Sequence, residues 1–244
     1  MRFQNLQRCS VVLFPLFTGL AVPAAAQDSS AMDMTGMGIY AMEDSVTEAA
    51  KETVSSTRRG GTRGVPAPAV QLTYKPSIER RRANFAQFVE KSRRKDPKGA
   101  AMLEKEFASV DVIAKMGRAL SAYGMRTDNI ADAYAIWWLN AWLASRQRND
   151  TPPANQIAAV RAQAARAMAS VPEMATASDA AKQEMAEAHL IQAALIGSHM
   201  DQAEGKPAML RQLAAAVRQG ARASGLDLNA MELTDNGFVP LAPR

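Results

Sequence analysis

Apolar positions in this chain recur at helical spacing, and they are densest in one stretch. NIADAYAIWWLNAWLAS, residues 129–145, holds all three tryptophans. Ile130, Tyr134, Trp137 and Ala141 share one side of a helix. Ala131, Ala135, Trp138 and Trp142 share a second, and Ile136, Leu139 and Leu143 a third. A helix that is apolar on every side belongs inside a bundle or a membrane. These 17 residues, interrupted by Asp132 and Asn140, are short for a membrane span and suit a core. The pattern predicts a central helix with the others packed round it.

The same periodicity places the other elements. Ser77 caps a helix running to about Ser92, with Ile78, Phe85, Phe88 and Val89 as its stripe and Asn84, Gln87, Lys91 and Arg94 opposite. Asp96-Pro97 opens the next helix, with Leu103, Phe107 and Val110 inward. Asp111 caps VIAKMGRALSAY, which stops at Gly124. Whether 98–123 is one kinked helix or two stays open. Thr151 caps a helix with Pro152 at its start, burying Ile157, Val160, Ala164 and Met168 and ending at Val171-Pro172. Residues 178–203 read as a long alanine-rich helix, and 207–224 as the last, closed by Gly225. Asp235-Asn236-Gly237 is a turn signal between Leu233-Thr234 and Phe238-Val239, so 231–241 reads as a short hairpin or strap. The expectation is an all-α bundle of six or seven helices around the Trp-rich helix, occupying 73–244.

The first 72 residues read differently. Arg2 and Arg8 precede the apolar run CSVVLFPLFTGLAV, and Ala24-Ala25-Ala26 supplies small residues before Gln27. That is the plan of a secretory signal peptide over 1–26, and it predicts an exported protein, periplasmic or secreted. Residues 27–72 read as a flexible tail rich in Met, Gly and Pro, with at most one transient helix within 39–56. Met32, Met34, Met37 and Met42 cluster there beside Asp33. Thioethers are soft ligands for Cu(I), but no histidine accompanies them, so no metal site is assigned.

Composition narrows the function classes. Cys9 is the sole cysteine and lies inside the signal, so the mature chain has no disulfide or thiolate chemistry. The net charge is +5, of which Arg2 and Arg8 belong to the signal. The remaining +3 does not suggest a nucleic-acid partner. After cleavage no segment is long and apolar enough for a transmembrane span. Charge is concentrated instead: from Lys75 to Lys98 nine Lys and Arg face three acids. Arg80, Arg81, Arg82, Lys91, Arg93 and Arg94 make the first helix of the domain the candidate contact surface for an anionic polymer or an acidic envelope protein.

Candidate chemistry is sparse. His189 and His199 stand ten residues apart on one helix, a rotation of about 1000°, so they do not share a face and make a poor metal pair. No HExxH, phosphate-binding loop, dinucleotide fingerprint or nucleophile elbow occurs. Neither a cofactor nor a metal is predicted. Asp132, three residues after Asn129, completes a pattern like a capping box. Glu184 and Glu187 share a helix face and resemble paired carboxylates. A small-ligand pocket would draw on Asp132, Tyr134, Trp137, Trp138, Asn140 and Trp142. A hydrolase acting on envelope polymers would draw on Asp132 or Glu187.

Three segments, RTDNIADAYAIWWLNAW (126–142), SDAAKQEMAEA (178–188) and LTDNGFVP (233–240), resemble an uncharacterised family of exported bacterial helical proteins. The similarity spans roughly 70–240. It implies one helical exported domain and carries over no activity and no site residue. The reading that results is a non-catalytic interaction or binding protein of the cell envelope, with the ligand pocket and the hydrolase as alternatives.

Overall fold

The computed structural model describes residues 40–58, 70–94 and 96–241. Residues 1–26, expected to be a signal peptide, and Met32, Met34 and Met37 lie outside them. Nine α-helices and one hairpin are present among the described residues: α1 (Tyr40–Arg58), α2 (Ile78–Arg93), α3 (Pro97–Ser109), α4 (Val112–Leu120), α5 (Ile130–Ser145), α6 (Ala154–Ser170), α7 (Pro172–Thr176), α8 (Asp179–Gln202), α9 (Pro207–Ala223), β1 (Met231–Thr234) and β2 (Gly237–Pro240). No helix among them is long and apolar enough to cross a membrane.

The central helix is where the tryptophans placed it. Every residue of α5 except Asn140 is buried. It packs most extensively against α8 and also lies against α6 and α9. Asn129 caps it, its side chain accepting from the Ala131 and Asp132 amides at 2.9 and 3.2 Å. The other end closes in a Schellman motif: the Gln147 amide donates to the Ala144 carbonyl and the Arg148 amide to that of Leu143, both at 2.9 Å. Gln147 holds the left-handed position at φ 58°, where glycine is usual. The turn it makes sends Arg148, Asn149 and Asp150 back beside the helix end.

Two helices exceed the expected number. One is the five-residue α7, which starts at Pro172. The other is α1, inside the segment expected to be a flexible tail. Its Val46, Ala50 and Val54 recur at four-residue spacing and are buried, and the helix packs against α6 and β2. A transient helix is expected from sequence within 39–56; its packing on the bundle is not, because three small apolar residues make only a narrow stripe. Residues 98–123 are two helices, divided where Asp111 caps α4 by accepting from the Ala114 amide at 2.9 Å. Two expected details differ. Ile78 is 69% exposed, because Arg80 and Arg81 occupy the inner side of the first turn of α2. Thr151 does not cap α6; Pro153 holds extended backbone at ψ 147° and the helix begins at Ala154.

The hairpin closes over the tryptophans. β1 and β2 pair antiparallel, with Thr234 opposite Gly237. The Trp142 indole donates to the Met231 carbonyl at 3.1 Å, and the Trp138 indole to the Met231 thioether at 3.3 Å. Phe238 is fully buried, its ring centroid 4.6 Å from that of Trp138. Gln163 on α6 pairs with β2 as another strand would: its Nε2 donates to the Phe238 carbonyl at 3.0 Å and its Oε1 accepts from the Phe238 amide at 2.8 Å. Gly237 sits at φ 95°, and a Cβ there would lie 2.7 Å from Gln163 Oε1. Gly237→Ala is expected to lower stability by about 2 kcal/mol through backbone strain and loss of this amide pair. A urea midpoint within error of the parent would show that the hairpin and Gln163 are not so tightly coupled.

Candidate functional site

The basic residues of α2 divide into an inner and an outer set. α2 and α3 form a helical hairpin stapled by Phe107, whose ring centroid lies 4.4 Å from Phe85 and 6.4 Å from Phe88. The hairpin rests on the bundle chiefly through α2 against α8. That contact is polar. Glu187 of α8 is 1% exposed. Its carboxylate accepts from Arg81 Nε at 2.9 Å, Asn84 Nδ2 at 2.7 Å and Gln183 Nε2 at 2.8 Å. Gln183, one turn earlier, accepts from the Ser77 amide at 2.9 Å and Arg80 Nε at 3.1 Å, and donates to the Ser77 carbonyl at 2.8 Å. Arg81 reaches outward as well, to Asp111 at 3.2 Å. Burial, followed by the nearby Glu187 charge, pushes the titration of the Tyr74 hydroxyl far above its ordinary value. That hydroxyl donates to the Thr127 carbonyl at 2.7 Å.

Arg80 and Arg81 therefore tie α2 to α8. Arg93 is paired on the surface with Glu90 and Glu104. Lys91 is half-buried, and its ammonium is held below its usual range by burial, with the Glu184 charge opposing. Arg82 and Arg94 are exposed, and Lys98 extends the same basic surface at the start of α3. Among the described residues none of these three has a carboxylate partner.

The residues considered for a ligand pocket lie in two places. Tyr134, Trp137, Trp138 and Trp142 are all at most 5% exposed and pack on one another, on His189 and on the hairpin. A ligand reaches these rings only if the hairpin or a helix moves aside. Asn140 alone is half-buried and borders open space. Asp132, 2% exposed, accepts from Arg161 at 2.6 and 3.1 Å and from the Arg126 amide at 2.8 Å. It reaches past Asn129 to the preceding turn, so the capping box does not close. Asp132 and Glu187 each accept three hydrogen bonds inside helix contacts and are at most 2% exposed, so neither carboxylate faces solvent.

His189 was unmarked as a site by its sequence and is notable for its surroundings. It is 1% exposed, edge-on to Tyr134 at 5.2 Å and tilted against Trp137 at 5.5 Å. Neither ring nitrogen makes a hydrogen bond of acceptable geometry. Burial pushes its pKa down to about 4; the Met185 carbonyl one turn back pulls weakly the other way. Among the described residues no cluster of His, Cys, Asp and Glu could hold a metal ion.

Sequence reasoning missed Gln183, Arg161 and Gln163, and missed Glu187 and Asp111 as partners of Arg81. One signal was present. Glu187 sits mid-helix between Ala186, Ala188, Leu190 and Ile191, on a helix apolar on most sides, and a carboxylate there must be paired. No curated protein and no solved structure matches the chain. A family model does, over residues 7–240, and on that match the chain belongs to the Family of unknown function (DUF6683).

Proposed function

We propose that this protein is exported and acts in the cell envelope as a non-catalytic interaction protein, engaging an anionic polymer or the acidic face of an envelope protein through the outer side of the α2–α3 hairpin. One observation carries the reading. Two arginines of α2 are used to fix the hairpin to α8, while Arg82, Arg94 and Lys98 stand in solvent without a carboxylate partner among the described residues. Unpaired cations on an exposed surface attract anions over about one Debye length, roughly 8 Å at physiological salt. The pattern of residues 1–26 supports export.

The division of the arginines decides the test. Neutralising Arg80 or Arg81 would loosen the fold, so the informative variant is Arg82→Gln, Arg94→Gln, Lys98→Gln. In-cell crosslinking of a tagged protein, then capture and mass spectrometry, is expected to recover one abundant envelope component. The triple variant should lose at least about nine-tenths of it while keeping the parent's melting temperature, since surface substitutions stay within about 0.5 kcal/mol. Undiminished capture by the triple variant overturns the proposal.

A further inference from the structure

Ile136, Leu139, Asn140 and Leu143 recur on one side of α5 and line a cleft, with Met200 near the end of α8 and residues of α6 and of the turn after α4 completing its wall. The cleft is outside the tryptophan cluster, and α2 contributes nothing to it. It encloses about 40 Å³ before opening to solvent. That is room for roughly three water-sized groups at about 10–15 Å³ each, and a longer ligand continues into the open mouth. Just over half of the lining is apolar, led by Ile136, Leu139, Leu143 and Ile157, and Met200 adds a side chain that adapts to irregular shapes.

Two features specify what fits. The first is Asn140. Its Nδ2 donates to the Ile136 carbonyl at 2.7 Å. A carbonyl only accepts, so this bond settles which end of the carboxamide is nitrogen. The oxygen is left as an acceptor, and none of the described residues donates to it. The second is the rim. Arg148 forks onto Asp150 at 2.8 and 2.6 Å, and Asn149 donates to Asp201 at 2.9 Å. That hydrogen bond to Arg148 holds the Asp150 carboxyl below its usual range. Arg148 and Asp150 thus neutralise each other, and the exposed Asp201 carboxylate lies outside the lining, so the lining itself offers an ion no counter-charge. An ionic ligand would lose hydration in the cleft without replacement.

We infer that the cleft binds a small neutral ligand with an aliphatic body and a hydroxyl or amide N–H head, the head donating to Asn140 Oδ1. The body lies along Ile136, Leu139 and Leu143 and displaces water from them.

The test uses the full chain with methyl-labelled Ile, Leu and Met, titrated with 1-butanol and with its isomer methyl propyl ether. Both have the same heavy atoms; only the alcohol donates. Butanol should shift the Ile136, Leu139, Leu143 and Met200 methyl signals saturably, with a dissociation constant on the order of 1 mM, as so few atoms permit. The ether should bind about tenfold more weakly, and Asn140→Leu should close that gap. Shifts that never saturate, or that scatter over the surface, overturn the site. Equal binding of alcohol and ether by the parent chain overturns the role of Asn140, and that comparison needs no variant to fold. Butanol still favoured tenfold over the ether in a folded Asn140→Leu chain does the same.

Discussion

Glu187→Ala is expected to lower the unfolding free energy by about 3 kcal/mol, to be read from urea denaturation at pH 7. Removing one partner of a buried ion pair typically costs about 3–5 kcal/mol, because the other is left charged and unpaired. Here the lower figure applies. The Arg81 side chain is 18% exposed and keeps Asp111 as a second partner. Asn84 and Gln183 each lose an acceptor as well, and a buried donor without one costs about 1–3 kcal/mol. Glu187→Gln preserves one acceptor and should retain about half of the loss. Arg82→Gln, on the same helix but exposed, should change nothing beyond about 0.5 kcal/mol. Equal effects of Glu187→Ala and Arg82→Gln would show that the polar seam does not hold the α2–α3 hairpin to α8.

Acid is expected to destabilise the protein by about 3 kcal/mol between pH 6.5 and pH 4, with His189 as the cause. The folded imidazole is shut in with Tyr134 and Trp137 and takes a proton only near pH 4, against 6.5 for an exposed histidine. Between those values the unfolded chain binds a proton that the folded chain refuses. Stability is therefore full above pH 6.5 and falls as pH drops through the window, at up to about 1.4 kcal/mol per pH unit. Asp128 and Asp150 act in a lower range, since hydrogen bonds from Arg126 and Arg148 already hold them below the usual carboxylate values. His189→Phe keeps the ring contacts and removes two unsatisfied nitrogens. It should flatten the profile from pH 6.5 to 4 without lowering stability at pH 7. A parent profile that is flat in this window, or a variant that keeps the slope, sinks the assignment to His189.

Much of the fold was legible because it rests on local signals. The Trp-rich helix announces itself by being apolar all round, and Asn129, Asp96 and Asp111 cap where capping residues stand before helical stripes. The Asp235-Asn236-Gly237 turn marks the hairpin. What escaped depends on partners distant in sequence. Glu187 meets Arg81 across 106 residues, and Gln163 meets Phe238 across 75. Periodicity cannot tell a buried polar residue with such a partner from an exposed one without it, so Arg80 and Arg81 were grouped with Arg82 on charge alone. Asn140 was singled out for its place in an apolar run. Its value to a ligand became clear only with the direction of its carboxamide, which composition does not encode.

The clamp formed by Met231 and Phe238 on the tryptophans has a consequence for the newborn chain. Trp138 is synthesised 93 residues before Met231, and Trp142 89 residues before it. At ordinary rates of synthesis these indoles wait about 5–20 s for their lid. Throughout that interval the helix offers two large aromatic rings to any holding factor that binds unfinished protein. A chain broken off before the hairpin lacks Met231 and Phe238 and so leaves Trp138 and Trp142 without that cover.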